Sequence, residues 1–233
     1  MRIPLAIALL LTCAACSQDD APAEEMVAAA EEIVAPAAQP TPLAKGPWAP
    51  RDSCAEVEGA DQFRERLAAA IEARDADDLV ALAADDIQLD FGGGAGTAEL
   101  RTRLEDESRN LWDELDALMA LGCSANEQGG VTIPWYFDQD LGETDPLAAM
   151  LVIGEDVPIL TAPRASAERL DVISWDLVEA ATFDPGSRFQ EIKVADGGTG
   201  FIATDKLRSV IDYRLIASSR NGRWRITTFI AGD

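Results

Sequence analysis

Apolar positions fall at helical spacing in the first half of the chain and at strand spacing in the second. Phe63, Leu67 and Ile71 recur every fourth residue, marking one face of an amphipathic helix with Asp61 as its N-cap. Asp75 opens a second, short helix carrying Leu79 and Leu82. Residues 87–91 then alternate like a strand and stop at Gly92-Gly93-Gly94. Thr97 can cap a third helix, whose apolar positions are Leu100, Leu104, Leu111, Leu115 and Leu118, with room for a break near Ser108 to Asn110.

Past residue 148 the texture changes to short strands at 150–153, 157–160, 168–173, 177–179 and 190–194, with a return segment through Gly200-Phe201-Ile202. Strands this short, at this spacing, argue for a small barrel. A hairpin closes the chain. Ile211, Tyr213 and Leu215 alternate, Asn221-Gly222 is a type I′ turn signal, and Trp224, Ile226, Thr228 and Ile230 alternate in return. The pattern predicts an α+β protein, with a mostly helical region at 51–147, a small β-barrel at 148–209 and a C-terminal hairpin at 210–233. Between the first two, Pro134-Trp135-Tyr136-Phe137 reads as core or interdomain packing, or else as a ligand-facing platform.

Six of the twelve prolines fall between residues 17 and 50, among alanines and acids that offer little to a core. Residues 16–50 are therefore expected to form an extended tether, with a transient helix at 24–34. Ahead of it stand Met1-Arg2, an apolar run over residues 3–11, and Thr12-Cys13-Ala14-Ala15-Cys16. The run is roughly half the about 20 residues that a membrane span needs, so residues 1–15 read as an export signal.

The Ala14-Ala15-Cys16 ending resembles the lipobox of bacterial lipoproteins, with Cys13 where that motif usually has leucine. The resemblance implies that Cys16 is acylated and anchors the protein to the membrane of the bacterial envelope. Ser17 beside it resembles the class sorted to the outer membrane, facing the periplasm. With Cys13 and Cys16 so accounted for, Cys54 and Cys123 remain, and in an oxidising compartment an even remainder of two suggests a disulfide. Two cysteines without histidine do not complete a usual zinc site, so no metal is expected.

The charge narrows the partners. The chain carries 19 Lys+Arg against 42 Asp+Glu, a net −23, which repels nucleic acid. It has no histidine, which removes Ser-His and Cys-His nucleophiles and imidazole bases. No P-loop, dinucleotide fingerprint or calcium loop is present. Gly92-Gly93-Gly94 reads as a tight turn rather than a phosphate loop, because no lysine follows. The expectation is a protein that is not an enzyme and holds no cofactor. Arg208, Arg214, Arg220, Arg223 and Arg225 form the one basic region, open to two readings: pairing with the acidic helices, or an anion or carboxylate site.

The stretch 148–209 resembles the bacterial SH3-like (SH3b) domain. The matching residues are 157–163, Leu170, Val178, 192–194 and Asp196 with Gly200-Phe201-Ile202, while Phe189 stands near a place where that family commonly has tryptophan. The resemblance implies a non-catalytic binding or scaffolding module, with peptidoglycan or another envelope protein as partner and a ligand groove at Phe189, Phe201 and Trp175. The run from Phe63 through Asp85-Asp86 to Phe91, together with Gly222-Arg223-Trp224-Arg225-Ile226, resembles NTF2-like cone folds. That second resemblance implies that the terminal hairpin pairs back with the strand at 87–91, the barrel being an insertion, and offers a small-ligand or enzymatic cone as the alternative function. The whole arrangement also resembles SH3-domain proteins of some Gram-negative bacteria.

Overall fold

The computed structural model describes residues 40–180, 182–194 and 197–232. The signal at 1–15, the Cys16 anchor and the tether up to residue 39 lie outside the described residues. Residues 40–50 do not behave as tether. Ala49 and Pro50 are buried, the Trp48 N–H donates to the Trp175 carbonyl (2.8 Å), and the Arg51 guanidinium bonds the Pro40 carbonyl (2.9 Å). Gly46 (φ 122°) allows this approach, because a Cβ there would sit 2.0 Å from the Ser174 carbonyl oxygen. One tryptophan and a glycine that fits under a loop outweigh the four prolines around them.

Four helices follow: α1 (Ala60–Ala73), α2 (Ala76–Leu82), α3 (Thr97–Glu105) and α4 (Leu111–Met119). Phe63, Leu67, Ile71, Leu79, Leu100, Leu104, Leu111, Leu115 and Leu118 are all buried in one core. The Asp75 carboxylate caps α2 by accepting from the N–H groups of Asp77 and Asp78. Asp61 does not cap α1. That role falls to Gly59 (φ 76°), and Asp61 lies within the first turn, 3.6 Å from Arg64. The chain breaks between α3 and α4 at a single 3₁₀ turn, Glu107–Arg109, followed by Asn110 in the left-handed region.

The helices pack on a five-stranded sheet of order β1-β12-β11-β3-β2, built from β1 (Ala83–Gln88), β2 (Ser124–Ala125), β3 (Val131–Ile133), β11 (Arg214–Arg220) and β12 (Arg223–Ile230). The terminal hairpin is thus held in the N-terminal sheet. β12 runs parallel to β1 (Ala83↔Ile226, Gln88↔Thr228), and β11 runs antiparallel to β3. The strand predicted at 87–91 lies instead at 83–88. Beyond it the chain folds back on itself, with the Leu89 N–H bonded to the Gly94 carbonyl and the Gly96 N–H to the Ile87 carbonyl.

Seven strands make the second sheet: β4 (Ala149–Val152), β5 (Val157–Leu160), β6 (Arg169–Ile173), β7 (Leu177–Glu179), β8 (Phe189–Lys193), β9 (Thr199–Ala203) and β10 (Leu207–Ser209), in the order β10-β4-β7-β8-β9-β5-β6. Met150, Val152, Val157, Ile159, Val178, Ile192, Ile202 and Leu207 share one core, so the sheet curls around its own apolar face. The expected barrel does not close. β10 and β6 remain its two edges, and β6 pairs with β5 alone. A closed ring would need a partner for β6, whose residues are exposed from Arg169 to Val172.

β4 is buried along its whole length because alternate residues serve two cores. Met150 and Val152 face the curled sheet. Ala149 and Leu151 face a third cluster formed with Leu121, Trp135, Tyr136 and Val210, against which Trp48 and Trp175 pack. Trp135 and Tyr136 are therefore packing residues. Val210 and Ile211 belong to this junction rather than to the terminal hairpin, whose first strand starts at Arg214.

Cys54 and Cys123 form a disulfide across 69 residues, with their Cα atoms 5.7 Å apart. Among the described residues no helix is long and apolar enough to cross a membrane.

Candidate functional site

A cleft of about 780 Å³ opens between the edge strand β6 and the β7–β8 pair. Its floor is core surface, Ile159, Val178 and Ile192. Its rim carries Leu170 and Val172, which are 52 % and 39 % exposed. Apolar side chains at a strand edge normally find cover, because an uncovered edge invites pairing. Val172 lies opposite Pro158, which has no N–H to donate, and its own N–H is held by the Asp171 carboxylate (2.8 Å). The acids Asp171, Asp176 and Glu179 line the same cleft, and Lys193 among them is paired with Glu179 (2.6 Å).

The groove residues expected from the sequence separate. Phe189 and Phe201 lie on adjacent strands and on the face opposite Gln190, Ile192 and Ile202, which point to the core. Phe201 stands opposite Glu191 and Phe189 opposite Ala203, so the two residues occupy diagonally neighbouring positions on adjacent strands. Trp175 is elsewhere, in a loop with φ 42°, packed against the junction cluster. None of the three lines the cleft. The cleft residues Leu170 and Val172 carried a sequence signal, apolar alternation around Asp171, but alternation does not tell which face of a strand meets solvent.

The basic region divides. Arg208 is buried, donates to Glu114 of α4, and bonds the Tyr136 hydroxyl (3.1 Å) and the Tyr213 carbonyl (3.3 Å), with Asp212 at 3.7 Å. Burial works against its charge, but Glu114, Tyr136 and Asp212 together raise its pKa further above the ordinary arginine value. Arg214 lies over the Phe137 ring (4.3 Å) and bonds the Gly232 carbonyl (2.7 Å). Arg220, Arg223 and Arg225 lie on the outer face of the hairpin instead, around a pocket of about 220 Å³ with Ser218, Thr227 and Asp86.

Tyr136 shows the effect of the junction on chemistry. Burial pushes its phenol up to about 12, against the weaker opposing pull of Arg208. Tyr213 is raised for the same first reason. These are the two tyrosines of the chain. The neutral phenols are favoured by the fold, so their contribution is fully present below about pH 10, the unfolded value, and for Tyr136 is lost as pH rises through about 12. An ultraviolet titration of the folded protein is accordingly expected to show the Tyr136 step moved up to about 12 and the Tyr213 step moved up from its place in the denatured chain. A full-amplitude step for both tyrosines at the denatured-chain position would refute this.

Two further clusters are satisfied internally. The Gly92–Gly94 turn is filled by the Asp90 carboxylate, which accepts from the Gly94 N–H (2.8 Å) and pairs with Arg103. That hydrogen bond from Arg103, first among several, holds Asp90 below the usual carboxylate range. A Cβ on Gly94 would lie 2.2 Å from both partners, so a carboxylate sits where a phosphate would have to go. Asp52, Cys54 and Cys123 converge, but the two sulfurs are bonded to each other and Asp52 is paired with Arg64 (2.7 Å). No family model matches the chain, and no curated protein matches it either.

Proposed function

We propose that this protein is a lipid-anchored module of the bacterial envelope, facing the periplasm, which binds an extended peptide segment of another envelope protein and performs no catalysis. The observation that carries the reading is the cleft beside β6, where an open strand edge lies against exposed Leu170 and Val172. A strand edge offers backbone donors and acceptors at the spacing of another polypeptide, and a peptide added there continues the sheet beyond β6. The acids of the cleft favour a segment with lysine or arginine at alternate positions. A polypeptide fits these features better than a glycan strand, which has no amide ladder to continue a sheet. The cores beneath both sheets are filled by side chains, and Tyr136, Glu114 and Asp212 are all engaged by Arg208, which favours binding over the cone-type enzyme.

The test uses the full chain in non-ionic detergent and a ten-residue peptide alternating valine and lysine, followed by amide chemical shifts. Shifts confined to β6 and the β7–β8 rim are expected. They should weaken about tenfold in Val172→Pro, a change an edge strand tolerates, the Val172 N–H being bonded to the neighbouring Asp171 carboxylate. No saturable shift, or shifts untouched by that change, would defeat the reading. Retention on purified peptidoglycan sacculi that survives Val172→Pro would move the ligand to the cell wall.

A further inference from the structure

The solvent face of the terminal hairpin carries a charge arrangement that the fold alone does not balance. Arg220 and Arg223 stand directly opposite each other across the β11–β12 turn, and Arg225 follows two residues on along the same face, opposite Ser218. Like charges directly opposed on a sheet repel and destabilise it. Ample carboxylate is available in a chain with 42 acids. Arg64, Arg74, Arg101, Arg103 and Arg109, in and around the helices, each sit against one. Among the described residues no carboxylate lies within ion-pairing distance of Arg220, Arg223 or Arg225, although Asp86 of β1 lines the same pocket. The Arg225 guanidinium donates to the Trp224 carbonyl (3.0 Å), which orients it without neutralising it.

We propose that this pocket binds a phosphate monoester group. Three guanidiniums set against one carboxylate leave an excess of two positive charges, which a monoester of about −1.5 to −2 at neutral pH matches. A tetrahedral phosphate presents oxygens in three directions to three planar forks, where a carboxylate satisfies one. Ser218 adds a hydroxyl at the pocket wall, while that of Thr227 donates to the Ile216 carbonyl (3.2 Å). The pocket volume, about 220 Å³, admits the phosphate and a few atoms of what carries it. The site lies on the five-stranded sheet and is independent of the β6 cleft.

The full chain in non-ionic detergent is titrated calorimetrically with inorganic phosphate, with monomeric short-chain phosphatidic acid, and with acetate. Saturable binding of either phosphate probe is expected, at least about tenfold tighter than acetate, and weakened about tenfold by Arg220→Gln or Arg223→Gln. Both residues are exposed, so these variants keep the fold, as unchanged circular dichroism would verify. Arg223→Lys, which keeps charge but loses the fork, is expected to fall between. Binding of the lipid probe alone assigns the group to a lipid headgroup, and binding of inorganic phosphate alone to a soluble ligand. Failure of both phosphates to saturate, or equal binding by the Arg→Gln variants, overturns the site.

Discussion

Replacing Cys54 and Cys123 together by alanine is expected to lower the free energy of unfolding by about 4 kcal/mol. The bond closes a loop of 69 residues, and releasing that constraint returns about this much conformational entropy to the denatured chain. Both residues are fully buried. The bridge ties the turn before α1 to the chain just ahead of β2, where Asp52 and Cys123 also form a β-bridge and the Ser53 N–H bonds the Cys123 carbonyl (3.0 Å). The loop it closes contains all four helices. Urea unfolding of the oxidised protein and the double variant measures the difference, and a loss below about 1 kcal/mol would mean that the backbone contacts alone hold this corner. The effect belongs to an oxidising compartment, which agrees with the proposed place of the protein in the envelope.

Arg208→Ala is expected to cost about 3–5 kcal/mol, the range for breaking one side of a buried ion pair. Its guanidinium reaches from β10 of the seven-stranded sheet to Glu114 on α4 and Tyr136 at the junction. Removing it leaves the Glu114 carboxylate in a largely buried place without its cation, and leaves the Tyr136 hydroxyl short of a donor. The double variant Arg208→Met with Glu114→Leu should recover most of the loss, because two apolar side chains of similar size need no desolvation of charge. A thermodynamic cycle over both positions separates the pair's coupling from lost packing. Equal losses in the single and double variants would show that packing of the arginine stem, and not the ion pair, was the larger contribution.

Much of the fold was legible because it rests on local rules. The spacing of Phe63, Leu67 and Ile71 marks a buried helix face, the Asp75 carboxylate caps α2, and Asn221-Gly222 forms the hairpin turn. The short strands from β4 to β9 stand within one residue of their predicted places at nearly every end. The errors fall where distant contacts outvote local preference. Residues 40–50 look unfoldable by composition, yet Trp48 finds Trp175 and Gly46 fits against Ser174. Residues 87–91 alternate correctly for a strand, but Leu89 is claimed by the Gly94 turn, and the ladder with β12 lies upstream.

The candidate sites divide the same way. The sequence by itself determined which side chains were present: a cluster of arginines near the C-terminus, no histidine, and two cysteines left to pair. Only the tertiary structure decided what each could do. It turned Arg208 inward to Glu114 and left Arg220, Arg223 and Arg225 on an open face. It separated Trp175 from Phe189 and Phe201, and it left β6 paired on one side only. Period-two alternation reports that two faces differ, and the residue types say which chemistry is available. Which face meets solvent, and which charge meets its opposite, depends on strands brought together from more than 100 residues apart, as β1 and β12 are.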